Sequence, residues 1–168
     1  MGGHPYRAAG LVAGGLVLVA AAALAGVYVW LHGYAPLRSA PLPGGAGGAA
    51  VAPKGSAPFY TSFTLRNTGR FAVTVTGLGG ESAGPLAPSA LLGTDSPAAS
   101  TDPAHLHPFV DLRLDPGDTA ILVVRWRHEC GAAPAGASAS SVRLRYRYLS
   151  IFSRSETVAL PAAVSLRC

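Results

Sequence analysis

Apolar and polar positions follow three different regimes along the chain. Ala8 to Leu31 reads "AAGLVAGGLVLVAAAALAGVYVWL", an apolar run without a charge. As a helix its ~24 residues would extend roughly 36 Å at about 1.5 Å per residue. That crosses a hydrocarbon core of about 30 Å with some tilt, so a transmembrane helix over 8–32 is expected. Arg7 precedes the run, and Tyr6 at one edge with Tyr28, Trp30 and Tyr34 at the other suits an interfacial belt. The competing reading is a cleaved signal peptide, for which "ALA" at Ala23 to Ala25 is a small-x-small site. The apolar run continues beyond it through Val27, Val29 and Leu31, which favours an uncleaved anchor. Gly10 and Gly14, and Ala22 and Gly26, have the spacing of close helix pairing, a pattern that Ala- and Gly-rich segments also produce by chance.

The second regime, residues 33–57, is rich in Gly, Pro and Ala and has no period. Such a stretch buries too little apolar surface to offset its ordering entropy, so a flexible linker is expected. The third regime, 58–168, alternates with period two. Phe59, Thr61, Phe63 and Leu65 share one face of "FYTSFTLRN", and Phe71, Val73 and Val75 share one face of "FAVTVTGL". With "NTGR" (Asn67 to Arg70) between them, the two runs read as a hairpin. Gly79 to His105 is irregular and long; it holds either a short strand near "PLAPSALLG" or a functional loop.

"PFVDLRL" is expected to turn Val110, Leu112 and Leu114 inward, before a tight turn at Asp115 to Asp118. "TAILVVRWR" is the most hydrophobic run and is expected at the centre of a sheet. "SVRLRYRYLSIF" sets Val142, Leu144, Tyr146 and Tyr148 against Arg143, Arg145 and Arg147, and Pro161 marks an edge or bulge in the last strand. Six or seven short strands without a convincing soluble helix predict an all-β fold, an antiparallel two-sheet sandwich.

Composition then places the chain. Charged residues make up only 12%, against the roughly 25% usual in soluble domains. The formal net charge of +5 is carried almost wholly by Arg, and the Ala, Gly, Pro and Arg bias points to a GC-rich bacterial genome. Only two cysteines occur, Cys130 and the last residue, Cys168. An intrachain disulfide between them would close a loop of ~38 residues and stabilise the fold by roughly 4 kcal/mol in the chain-entropy model. The alternatives are two free thiols or an intermolecular bridge through Cys168. Disulfides persist outside the reducing cytosol, which places residues 58–168 on the outer face of the membrane and residues 1–7 inside. Nucleic acid is then not an expected partner.

The run "FTLRNTGRFAVTVTGL", the later "LDPGDTAILVVRW" and the closing cysteine pair resemble the immunoglobulin-like extracytoplasmic domains of bacterial single-pass membrane proteins of unknown function. The resemblance implies a fold and a location, and carries over no catalytic residue.

Signals for catalysis are weak. One G-x-S-x-G string occurs, "GESAG" at Gly80 to Gly84, but it lies in the irregular Gly79 to His105 stretch rather than on a strand-to-helix turn. Asp95, Asp102, Asp115 and Asp118 fall in turn-like segments, and "LPGGAGGAA" lacks the Lys-Ser/Thr of a phosphate loop. The expectation is a non-enzyme without a cofactor: an envelope interaction or accessory module whose partner is another envelope protein or an anionic polymer. Arg143, Arg145 and Arg147, joined by Arg125 and Arg127 if their strands are neighbours, form the candidate anionic-ligand surface. The alternative is a metal-binding or redox-accessory protein using His105, His107 and His128. For the cysteines, alkylation of the unreduced native protein is expected to add no label by mass spectrometry; two labelled thiols would exclude the bond.

Overall fold

The structure is a computed structural model, and it describes residues 17, 19–30, 33–40, 42, 50–51, 57–80, 85–96, 98, 101–128 and 137–165. The chain divides into two units, Met1–Ala35 and Pro36–Cys168. In the first, residues 19–30 are helical with exposed side chains. No helix among the described residues is long and apolar enough to cross a membrane. Residues 8–16, 18, 31 and 32 of the expected transmembrane helix lie outside the described residues, as do Cys130 and Cys168.

The second unit is built almost wholly of strands: β1 (Leu37–Ala40), β2 (Ala50–Val51), β3 (Phe59–Asn67), β4 (Val73–Leu78), β5 (Leu86–Thr94), β6 (Leu106–Pro108), β7 (Leu112–Leu114), β8 (Thr119–His128), β9 (Ser138–Tyr148) and β10 (Phe152–Ser165). They form two five-stranded sheets, β1-β3-β8-β5-β6 and β2-β10-β9-β4-β7. All pairings are antiparallel except the short β10–β2 contact. The stretch read as a linker therefore supplies two strands, and the folded unit starts near Pro36 rather than at residue 58. Backbone pairing explains this: Leu37 to Ala40 matches Asn67 to Thr64 in register, so an irregular composition is ordered by an edge already present.

Period-two patterning sets the core. Phe63, Leu65, Leu122, Val124 and Trp126 from the first sheet are buried, as are Val73, Val75, Val142, Leu144, Tyr146 and Tyr148 from the second. The β8 strand is the middle strand of its sheet, as its hydrophobicity predicts. Val123 is buried on its opposite face too, flanked in register by Ser62 and Leu92. The Trp126 indole N–H, taken out of water, donates to Thr61 Oγ1 at 2.7 Å. Val110 departs from its expected inward position and is 72% exposed; it precedes β7, outside the register that turns Leu114 inward. The irregular 79–105 stretch holds β5, which pairs with β8, and a 3-10 turn at Pro103–His105. Pro161 falls in the register shift between Ala159 and Val164, where β10 loses its ladder to β9.

The expected β3–β4 hairpin does not form: the two strands lie in different sheets. Asn67 accounts for the crossing. Its side chain is fully buried, and its Nδ2 donates to Phe71 O at 2.8 Å and Leu114 O at 3.0 Å. Its Oδ1 accepts from Gly69 N at 2.9 Å, an Asx turn that redirects the chain. Its backbone N–H donates to Asp118 O and its carbonyl accepts from Gly117 N. The Asp115–Asp118 turn, closed by Asp118 N to Asp115 O with Gly117 at φ +89°, is thereby docked on the same residue. One amide thus joins two of the crossings between the sheets, β3 to β4 and β7 to β8.

A second tie joins β1 to β10. Glu156 accepts from Leu37 N at 3.2 Å and from Arg38 Nη1 at 2.9 Å, with its side chain 9% exposed. Burial raises the Glu156 pKa above its ordinary 4.5, more than the Leu37 hydrogen bond and Arg38 lower it.

Two outcomes are expected. Asn67→Ala leaves one buried and one half-buried carbonyl without this donor and should cost about 2–4 kcal/mol in denaturant unfolding. Asn67→Asp should cost no less, because a carboxylate cannot donate to them. For Glu156, the folded protein holds its proton to a higher pH than the unfolded chain. Its contribution is full below about pH 4.5 and is lost as pH rises through the raised folded value. Glu156→Gln should flatten that part of a stability-against-pH curve.

Candidate functional site

Alternation along β9 sends Arg143, Arg145 and Arg147 outward while Leu144, Tyr146 and Tyr148 enter the core. Successive guanidinium-bearing positions are about 7 Å apart along the strand, two residues at roughly 3.4 Å. Each arginine has a hydroxyl residue opposite it on β10: Arg143 faces Thr157, Arg145 faces Ser155 and Arg147 faces Ser153. On the other side, Arg147 registers with Thr74, which also registers with Arg113 on β7. The outward face of this sheet is thus a basic row bordered by hydroxyls.

The four arginines are not equivalent. Arg147 Nη2 is paired with Asp111 at 2.9 Å, and Arg113 Nη2 with Asp115 at 3.1 Å. Arg143 and Arg145 have no carboxylate partner among the described residues. Beside them β4 carries glycine. A Cβ at Gly77 would lie 3.8 Å from Arg145 Nη2, and Gly77 adopts φ +144° at the bulge in β4. A Cβ at Gly79 would come within 2.7 Å of Arg143 Cγ. Gly79 N also donates to Arg143 O at 2.7 Å. The close approach of Gly79 fixes the stem of Arg143, and sequence pattern alone offers no sign of it.

Arg125 and Arg127 do not join this row. Both are exposed on β8, in the other sheet. They would join it only if β8 and β9 were neighbours, and these two consecutive strands lie in different sheets. Arg125 Nε instead donates to Ser89 Oγ at 3.2 Å.

The three histidines are also apart. His128 is buried at the end of β8, edge-on to Phe59 with ring centroids 5.5 Å apart. It registers with Leu86 on β5, whereas His107 registers with Gly93, seven residues along. That separation is about 23 Å at 3.3 Å per residue. His105 ends the 3-10 turn. His107 Nε2 lies 3.4 Å from Asp95 Oδ1, and no group of three or more metal-ligating side chains occurs among the described residues. The histidine set proposed from sequence is therefore not assembled. His107 and Asp95 instead border a cavity of about 640 Å³ at the place where β5 stops pairing with β8, with Phe109, Val110, Ile121 and Leu122 in its wall.

No family model matches the chain, and no curated protein matches it. Among solved structures it is similar to that of the VesB protease of Vibrio cholerae, at 16% identity and a TM-score of 0.35. The match covers 71% of this chain and 31% of that one, so the chain spans about a third of its length. A likeness this distant carries no argument about activity.

Proposed function

We propose that the protein is a membrane-anchored, extracytoplasmic interaction module of the bacterial cell envelope, without enzymatic activity, that holds anionic groups on the outer face of β9. The observation that carries this reading is the pair Arg143 and Arg145, outward-facing and without a carboxylate partner among the described residues, in a hydroxyl-lined row. Guanidinium groups bind phosphate and carboxylate in a planar, forked geometry, and several in a row add their fields. The fold assigned with this reading is immunoglobulin-like. Its support is the strand order: β1-β3-β8-β5 runs as A-B-E-D and β10-β9-β4 as G-F-C, with β2 on β10 in parallel and β7 on β4. The apolar 8–31 segment supports the anchor.

Binding of the full-length protein to soluble polyphosphate, followed by fluorescence anisotropy, tests the arginine row. Arg143→Ser/Arg145→Ser/Arg147→Ser should weaken binding by about tenfold or more, and added salt should abolish it as exposed charges are screened. An unchanged affinity in the triple variant would refute the proposal.

A further inference from the structure

The ends of the strands place four features together. The β1 strand enters at Leu37, opposite Asn67, and Thr68 N donates to Pro36 O at 2.8 Å. Asn67 Nδ2 binds Leu114 O, and Val73 registers with both Leu114 and Tyr148. One end of the sandwich therefore carries the entry of the chain at Pro36, the 68–72 crossing, the Asp115–Asp118 turn and the β9–β10 turn. That last turn is Leu149–Ile151, and its apolar side chains point into solvent: Leu149 is 44% exposed and Ile151 76%. Apart from Val110, they are the only large hydrophobic side chains exposed on this unit among the described residues. Leu149 and Ser150 both sit in left-handed backbone, at φ +49° and +61°, a conformation usually left to Gly or Asn.

The same end is collared by arginine. Arg66 at the end of β3 and Arg70 in the crossing are exposed and have no carboxylate partner among the described residues. Arg113 and Arg147, on strands of the other sheet, are paired to Asp115 and Asp111. Four arginines at this end meet three carboxylates, Asp111, Asp115 and Asp118, so its small cationic excess rests on Arg66 and Arg70. Apolar tips beside such arginines suit the interfacial layer of an anionic membrane.

Chain length supplies the independent argument. Trp30, the last described residue of the helix, is six residues from Pro36, a reach of at most about 20–22 Å. Because Leu37–Ala40 is a strand and not a spacer, nothing lengthens that reach. On the anchored reading, the chain itself can carry Pro36 no farther than that reach from Trp30.

We propose that this end docks on the anionic lipid surface of the membrane in which the chain is anchored, with Leu149 and Ile151 in the interfacial layer and Arg66, Arg70, Arg113 and Arg147 at the headgroups. This rests on the anchored reading above, and concerns a different part of the β9 sheet from Arg143 and Arg145.

The test is amide hydrogen exchange of the full-length protein in nanodiscs of phosphatidylcholine alone or with phosphatidylglycerol. Exchange over 68–71 and 149–152 should slow about tenfold in the anionic discs relative to the neutral ones. Leu149→Ser/Ile151→Ser should remove that protection, as should Arg66→Gln/Arg70→Gln, while the exchange of β8 stays unchanged. Equal exchange in both discs, with the protein incorporated, would overturn docking and leave the anchor standing. Failure to incorporate would overturn both. Protection that soluble polyphosphate reproduces without lipid would overturn membrane docking in favour of a polymer ligand.

Discussion

The buried amide of Asn67 is the constraint on which the architecture depends. A two-layer β fold needs places where the chain leaves one sheet for the other, and there the ladder no longer satisfies its backbone groups. Asn67 meets that need for two crossings at once, through Phe71 O, Leu114 O, Gly69 N and the Asp115–Asp118 turn. Remove it and the carbonyls of two connections lose this donor, that of Leu114 in a buried position. Glu156 performs a weaker version of the same task between β1 and β10, and its raised pKa records the desolvation involved.

That corner also decides which arginines can act together. Because β3 and β4 part at Asn67, β8 and β9 come to lie in separate sheets. Arg125 and Arg127 then project from one outer face, and Arg143, Arg145 and Arg147 from the other. The same parting leaves β9 between β10 and β4, which gives the arginine row hydroxyl residues on one side and Thr74, Gly77 and, just past β4, Gly79 on the other.

Much of this was legible from alternation alone. The inward faces of β3, β4 and β9 followed from period two because burial on one face of a strand demands it, and the central place of β8 followed from its continuous hydrophobicity. What alternation could not supply was pairing. The β3–β4 turn reads as a hairpin because "NTGR" is turn chemistry, but turn chemistry does not distinguish a return within a sheet from a step between sheets. Nor does composition foretell β1 and β2, since an edge strand borrows its order from the neighbour it pairs with. Gly79 illustrates the same limit at the site: its role lies in its contact with Arg143, a residue 64 positions away. Val110 and the histidines failed for a related reason, because short-range pattern says nothing about where a connection runs.

The distribution of strand lengths has its own consequence. Both sheets end in their shortest members: β1 with four residues, β6 and β7 with three, β2 with two. The long β10 is covered by β2 only at Val164 and Ser165, but its remaining flank carries the inward-turned Glu156, a bulge and Pro161. Brief edges, an inward charge and a proline are the devices by which β proteins refuse to zip onto a foreign strand. A molecule built this way offers little template for self-association into ribbons at high local density, and its contacts with other molecules fall to its faces and tips.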